Sequence, residues 1–212
     1  MNIESFTFNP FQENTYIVYD ETKECLVIDP GCYTKDEKEI LKKFILNKGL
    51  RPVKLINTHC HIDHILGNRF SHEKWGIELY MHKADLPILE NSKQISKMYG
   101  FEDYEDSPLP KYFLNQEDII TFGGNSFSIL FTPGHAPGHI CLYNKKNNII
   151  ISGDVIFKES IGRTDLPGGD YNTLINSINT QILPLPEETQ IYCGHGPYTD
   201  LAFEKRNNPF LK

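Results

Sequence analysis

Two stretches of this sequence follow the same plan, and that repeat limits the possible folds more than any other feature. Residues 15–30 and 139–154 each read as a strand, a polar turn and an apolar strand that ends at an aspartate. A segment with helical spacing follows each stretch, at 35–49 and 170–183, and then a short strand ends in a histidine motif. Strands that alternate with helices in this way favour an α/β fold or a layered sandwich of two similar halves.

The length and charge of the chain narrow its organisation and its partners. With 212 residues, 39% of them hydrophobic, we expect one domain over 1–212 with a substantial core. The formal net charge of −7 argues against a nucleic-acid partner. The first residues contain no apolar leader, and no run approaches the ~20 apolar residues of a spanning helix. We therefore predict a cytoplasmic protein without a membrane partner.

The motif THCHIDH, at 58–64, concentrates potential metal ligands in one loop. His59 and His61 are two residues apart, so in an extended segment their side chains point to the same side. Asp63 and His64 follow where the chain should turn into a helix, so they point elsewhere. Imidazole and carboxylate groups suit zinc, iron or manganese. The loop therefore predicts two ligand pairs for two adjacent divalent ions.

Further ligands must come from other loops, and three candidates each follow a strand: His135 in TPGHAPGH, Asp154 in SGD and His195 in CGHG. Loops at strand ends are where open sheets hold ligands. A lone histidine or aspartate in such a place is more often a turn or capping residue. Together with the motif, however, the seven residues complete two sites. We expect His59, His61 and His135 in one site, Asp63, His64 and His195 in the other, and Asp154 as the bridge.

Four neighbouring residues are assigned supporting roles. His139 begins a strand close to His135, so we expect it to support the site or the fold and not to bind metal. Asp29 is a candidate to hold a histidine ring by its other nitrogen. Cys60 and Cys193 are expected to be small buried residues, since free cysteine is often part of a core. The five scattered cysteines do not indicate a disulfide framework.

These motifs resemble those of the metallo-β-lactamase superfamily. THCHIDH, PGH, SGD and CGHG occur in that family's order over about residues 3 to 210. The resemblance implies an αββα four-layer sandwich of two pseudo-symmetric halves with a binuclear metal site. The family's seven ligand positions match the seven residues named above. THCHIDH and IGRTDLPGGD, at 161–170, are similar to the glyoxalase II (hydroxyacylglutathione hydrolase) branch, and EKRNNPFL to its short bacterial members, which lack the C-terminal helical region.

The resemblance implies a metal-dependent hydrolase of small-molecule thioesters such as S-2-hydroxyacylglutathione, with two divalent ions, zinc before iron or manganese. A metal-bridging hydroxide would be the nucleophile, and Asp63 and Asp154 would hold the metals that activate it. A thiolate is a stable leaving group, which favours a thioester over a β-lactam. Two alternatives stay open: a mononuclear iron persulfide dioxygenase of the same fold, and a metal-binding partner protein without catalytic activity.

Two regions are candidates for contact with the substrate. Arg163 lies in a glycine-flanked loop, and its guanidinium could hold a substrate carboxylate by a bidentate pair. The alternative is a surface ion pair with Asp165 or Asp170. The acidic, proline-broken stretch 101–111 reads as a surface loop, or as a flap whose aromatic side chains, among them Tyr104, touch the substrate.

Overall fold

The computed structural model describes residues 1–211, which divide into two compact units. The first unit comprises 1–113 and 121–125, and the second comprises 114–120 and 126 onward. Each unit has its own hydrophobic core. The prediction that 1–212 form a single domain stays a prediction.

A six-stranded sheet forms the centre of the first unit, in the order β1-β2-β3-β4-β5-β6. Its strands are β1 (Asn2–Phe8), β2 (Glu13–Tyr19), β3 (Glu24–Ile28), β4 (Arg51–Ile56), β5 (Leu79–Met81) and β6 (Tyr112–Phe113). The first three pair antiparallel, and β4, β5 and β6 then continue the sheet in parallel. Ile17, Val27, Leu55 and Leu79 are fully buried in the core that this sheet supports.

Five helices belong to the first unit: α1 (Lys35–Lys48), α2 (Ile62–Ile65), α3 (Asn68–Trp75), α4 (Leu86–Glu90) and α5 (Ser92–Met98). Helix α1 begins with a capping box, in which the Thr34 side chain and the Glu37 side chain each accept a backbone N–H of the other. It ends at Gly49, which adopts a left-handed conformation that glycine tolerates well. These end signals bound a helix where the sequence predicts one, at 35–49.

The second sheet has the order β14-β13-β10-β9-β8-β7. Its strands are β7 (Ile119–Phe122), β8 (Asn125–Phe131), β9 (Ile140–Asn144), β10 (Ile149–Gly153), β13 (Gln190–Cys193) and β14 (Thr199–Asp200). A separate hairpin, β11 (Ile156–Phe157) with β12 (Ser160–Ile161), lies between β10 and helix α6 (Tyr171–Ser177), and α7 (Leu201–Asn207) follows β14. Leu174, Ile178 and Ile191 are fully buried in the core of the second unit.

The predicted repeat is confirmed strand by strand. In the first unit, the β2–β3 hairpin is followed by α1 and then by β4, which lies parallel to β3. In the second, the β9–β10 hairpin is followed by α6 and then by β13, parallel to β10. A histidine motif follows the last strand of each series, so both halves place ligands at an equivalent strand end.

Two helices depart from the simplest sequence expectation. The helical pattern after the histidine loop is split into α2 and α3, because Gly67 donates its N–H to the carbonyl of Pro30 and packs against Cys32, with no space for a side chain. The pattern at 170–183 begins as α6 and ends in a π-helical turn, Ile178–Ile182. No helix among the described residues is long and apolar enough to cross a membrane.

Candidate metal centre

The histidine loop follows β4 and gathers four potential ligands in the first unit. The ring centroids of His59 and His61 are 4.8 Å apart, and those of His59 and His64 are 4.1 Å apart. The Asp63 Oδ2 atom lies 3.7 Å from His64 Nε2. His59 and His64 are buried, whereas His61 and Asp63 are partly exposed. The loop therefore presents imidazole and carboxylate groups that are partly sheltered from water.

The backbone of this loop explains the two directions of the side chains. His61 has φ −63° and ψ 150°, which is extended, and α2 begins at the next residue. His59 and His61 consequently belong to the extended part, whereas Asp63 and His64 lie in the first helical turn. This is the change of direction that the sequence predicts.

Asp29 supports the histidine loop through hydrogen bonds, as the sequence predicts. Its carboxylate accepts hydrogen bonds from the Thr58 backbone N–H at 2.7 Å and from the Thr58 hydroxyl at 2.6 Å. Its Oδ2 atom also lies 3.2 Å from His64 Nδ1. The Thr58 Oγ1 atom is 3.1 Å from His59 Nδ1. Engaging Nδ1 of each ring leaves Nε2 as the atom that can bind metal, which is the usual way that proteins orient a histidine ligand.

Glu13 is a buried carboxyl group beside His64 that the sequence analysis missed. It has no exposed surface, its Oε1 atom lies 3.9 Å from His64 Nδ1, and its Oε2 atom accepts a hydrogen bond from Thr15 Oγ1 at 3.0 Å. Burial raises the pKa of Glu13 well above its usual value, and the neighbouring His64 opposes this rise. Gly31 leaves room for the carboxyl, since a side chain there would overlap Glu13 Oε2. An acid at the first position of the β-rich run ENTYIVY was the signal that could have found it.

The second unit gathers the other three predicted ligands around one carboxylate. Asp154 Oδ2 lies 3.5 Å from His135 Nε2 and 3.4 Å from His195 Nε2. His135 and Asp154 are buried, and His195 is partly exposed. One carboxylate oxygen is thus about equally close to the imidazole nitrogens of two predicted ligands.

Two supporting contacts fix these ligands. His135 Nδ1 donates to the backbone oxygen of Arg163 at 2.7 Å, so its Nε2 faces Asp154. His139 is fully buried, and its Nε2 accepts the backbone N–H of Asp154 at 3.0 Å. Its Nδ1 is 3.0 Å from the hydroxyl of Thr132. The supporting role predicted for His139 is therefore confirmed.

Comparison with known proteins identifies the family. The family model of the metallo-beta-lactamase superfamily matches residues 8–195, a range that includes all seven predicted ligands. The chain belongs to the metallo-beta-lactamase superfamily. Its predicted α/β class is confirmed as the metallo-beta-lactamase fold, a mixed α/β fold with two sheets and helices.

Three known proteins resemble this chain over its full length or nearly so. Hydroxyacylglutathione hydrolase GloC of Haemophilus influenzae is 38% identical over 213 residues, which cover 100% of this chain and 98% of that protein. The crystal structure of BLEG-1 B3 metallo-beta-lactamase has a TM-score of 0.91 at 35% identity and covers 100% of both chains. The crystal structure of TTHA1623 in a di-iron-bound form has a TM-score of 0.86 at 36% identity, over 98% of this chain and 100% of that one. The chain is thus a metallo-hydrolase of the metallo-beta-lactamase superfamily.

The spacing of the donor atoms fits the metal binding of this superfamily. Two donors that bind one tetrahedral ion at about 2.1 Å lie about 3.4 Å apart. The separations of 3.5 and 3.4 Å around Asp154, and of 3.7 Å between Asp63 and His64, are close to that value. They exceed the usual hydrogen-bond length of about 2.7–3.2 Å. The chemistry and the spacing of both ligand clusters therefore suit divalent metal ions.

The two residues that are predicted to contact the substrate, Arg163 and Tyr104, make hydrogen bonds to other residues of the protein. The Arg163 guanidinium donates to both carboxylate oxygens of Asp165, each at 2.7 Å, and this pairing lowers the pKa of Asp165 to about 2. The surface ion pair that we considered for Arg163 is thus present, and it is exposed. The Tyr104 hydroxyl lies 3.0 Å from Ser92 Oγ and 3.2 Å from Ser107 Oγ. Substrate binding by Arg163 and Tyr104 stays a prediction.

Cys60 is expected to be dispensable for metal binding although it stands between two ligands. It is buried, its Sγ atom packs 3.7 Å from the Met81 sulfur, and its backbone N–H donates to Asp85 at 2.8 Å. Burial, with the charge of Asp85, raises the pKa of the Cys60 thiol well above its usual value, so it stays protonated. Cys60→Ala should keep wild-type metal content by elemental analysis and lose about 1 kcal/mol of stability in urea unfolding. A folded Cys60→Ala protein without metal would make Cys60 a ligand.

Proposed function

We propose that this protein hydrolyses thioesters of 2-hydroxy acids, such as S-2-hydroxyacylglutathione, with two divalent metal ions. The observation that carries the proposal is the pair of ligand clusters, in which carboxylate and imidazole donors are spaced as they are around a shared ion. The full-length similarity to hydroxyacylglutathione hydrolase GloC supports the choice of substrate. The similarity to TTHA1623, which was crystallised in a di-iron-bound form, supports two ions.

The ligands divide into two sets in this proposal. The first ion is held by His59, His61 and His135. The second ion is held by Asp63, His64 and His195. Asp154 contributes to both, because its Oδ2 atom is near His135 and His195 alike. We propose zinc as the metal, with iron or manganese as substitutes of similar ligand preference.

When bound, the two ions supply a Lewis-acid site that lowers the pKa of water to about 7 and stabilises negative charge on the carbonyl oxygen. Asp63 and Asp154 offset two of the four positive charges, so the site favours an anionic transition state. Hydrolysis adds the water oxygen to the acyl carbon and breaks the carbon–sulfur bond; the sulfur keeps the electron pair and leaves as a thiolate, and the water protons pass to solvent and to the thiolate. Because a thiol has a pKa of about 8.5, it leaves readily without a dedicated acid from the protein.

The Arg163 side chain is expected to select acidic substrates without holding the metal. The hydrogen bond that His135 donates to this residue uses the backbone oxygen of Arg163, which alanine keeps. Arg163→Ala should therefore retain two ions per chain and raise KM for an acidic thioester several-fold, with kcat nearly unchanged. Asp165→Asn is the matched control, because it weakens the competing ion pair and should lower the same KM. Equal KM values for acidic and neutral thioesters in all three proteins would show that Arg163 does not bind the substrate and forms only the surface ion pair.

A substrate panel tests the proposed function. Purified metal-loaded protein is assayed for thiol release from S-lactoylglutathione, for cleavage of a chromogenic β-lactam, and for oxygen consumption with a glutathione persulfide. We expect kcat/KM for the thioester to reach about 10⁴ M⁻¹ s⁻¹ or more and to exceed that for the β-lactam at least tenfold. Oxygen consumption as the dominant reaction would replace the hydrolase proposal with the persulfide dioxygenase. No reaction with any of the three would favour a metal-binding partner protein.

A further inference from the structure

A buried pair of asparagines connects the metal loop to a distant segment of the first unit. Asn57 follows β4, and its Nδ2 atom donates to the backbone oxygen of His64 at 3.2 Å. Asn57 and Asn68 exchange side-chain hydrogen bonds, at 2.8 Å from Asn68 Nδ2 to Asn57 Oδ1 and at 3.3 Å in the other direction. Asn68 Nδ2 then donates to Ser107 Oγ at 3.1 Å. Both asparagines are fully buried.

Ser107 completes this network. Each amide group has two N–H donors and one oxygen acceptor. In the pair, Asn57 uses its donors on His64 and Asn68, and Asn68 uses its donors on Asn57 and Ser107. Without the Ser107 hydroxyl, a buried N–H group of Asn68 would lose its partner, which is unfavourable far from water. The position of the His64 backbone therefore depends on a residue 43 positions later in the chain.

Tyr104 extends the network and fixes Ser107. Its hydroxyl lies 3.2 Å from Ser107 Oγ, accepts the Ser107 backbone N–H at 3.3 Å, and lies 3.0 Å from Ser92 Oγ. The Tyr104 hydroxyl thus contacts α5 through Ser92 and its own segment through the side chain and backbone of Ser107.

The surrounding segment, 101–107, is attached to its unit at several further points. Phe101 is buried and donates its N–H to the carbonyl of Ser96 at 2.8 Å. Four other links join the segment to the helices and loops beside it: Asp103 N–H to Tyr33 Oη, Glu105 to Lys38, Asp106 to Lys93, and the Asp106 carbonyl to Arg69 Nε. These attachments join the segment to the helices and loops of its own unit along most of its length.

We infer that the segment 101–107 positions the Asp63–His64 part of the metal loop, through Ser107, Asn68 and Asn57. Ser107 and Tyr104 are positioning residues in this arrangement: they act on His64 through its backbone and do not touch the metal or the substrate. The inference rests on the proposed function, in which His64 binds one of the two ions. It assigns the Tyr104 hydroxyl to the support of His64 in place of the substrate contact that the sequence suggests.

Competition titrations of the metal-free protein with zinc and a chromogenic chelator test the inference. Ser107→Ala should raise the Kd of one ion roughly tenfold and leave the Kd of the other unchanged, since partners of a metal-ligating residue typically contribute 10- to 100-fold to affinity. Ser107→Thr, which keeps the hydroxyl, should restore the wild-type Kd. Ser96→Ala is the matched control, because it removes a buried hydroxyl of α5 that donates to the Lys93 carbonyl, outside the asparagine network.

A second variant keeps the test decisive if Ser107→Ala does not fold. Tyr104→Phe should raise the same zinc Kd several-fold and leave KM for S-lactoylglutathione unchanged. A raised KM with wild-type zinc binding would overturn the inference, because it would place the phenol on the substrate. Wild-type Kd values in Ser107→Ala, or an equal change in Ser96→Ala, would overturn it too. Failure of the proposed function has a different signature, since the unmodified protein would then release no thiol from S-lactoylglutathione, whatever its zinc Kd values.

Discussion

Asp154→Ala is expected to reduce the metal content from about two ions per chain to about one or fewer and to lower thioesterase activity at least about 100-fold. The Asp154 carboxylate lies 3.5 Å from His135 Nε2 and 3.4 Å from His195 Nε2, so its loss removes a donor from each proposed ion. The substitution keeps the backbone N–H that donates to His139, so the fold around the site should persist. Elemental analysis and the rate of thiol release measure the two effects.

Glu21→Ala is a suitable control for Asp154→Ala. Glu21 is an exposed acid in the turn between β2 and β3, so its replacement removes one negative charge without touching either ligand cluster. It should retain wild-type metal content and activity. An Asp154→Ala protein that is fully loaded and fully active would contradict the shared-carboxylate arrangement.

Gly134→Ala is expected to cause the largest loss of stability. Gly134 precedes the ligand His135 and has φ +132°, a conformation that other residues adopt only under strain. A methyl group there would also overlap the backbone of Leu174, whose side chain is fully buried. Strain and overlap together should cost about 3 kcal/mol or more, which corresponds to a fall in Tm of roughly 6–12 °C.

Gly49→Ala separates the two contributions to that loss. Gly49 also has a positive φ, of 63°, but no heavy atom lies within 4 Å of the position that its new methyl group would take. It should therefore cost only the conformational strain, about 1 kcal/mol. Urea unfolding of both variants measures the difference. Equal losses of unfolding free energy would show that the His135 loop and α6 can separate enough to accommodate the new methyl group.

The sequence predicted the repeat and the ligand clusters because both depend on local order. Hairpins, the capped helix α1 and the strands before each histidine motif follow from patterns of a few neighbouring residues. The direction of His59 and His61 against Asp63 and His64 follows from a change from extended to helical backbone at His61. Asp29 and His139 were also recognised as supports: Asp29 ends the first repeat as Asp154 ends the second, and His139 stands close to His135 in the chain.

The remaining features depend on residues that are distant in the sequence. The split between α2 and α3 arises because Gly67 meets Pro30, a contact across 37 positions that no local pattern contains. Glu13 is buried beside His64. This neighbourhood becomes visible only when the strand and the histidine loop are packed together in the fold. The asparagine pair reaches Ser107 in the same way. Sequence patterns thus identified the proposed ligands and two of their supports, Asp29 and His139, but not Glu13 or the asparagine pair.

The number of metal ions that activity requires is the most direct test of the account. Metal-free protein is titrated with zinc while thiol release from S-lactoylglutathione is followed, and bound zinc is measured by elemental analysis at each point. We predict two ions per chain at saturation, no activity in the metal-free protein, and full activity only when both ions are bound. Full thioesterase activity at one ion per chain, or activity without metal, would contradict a binuclear thioester hydrolase.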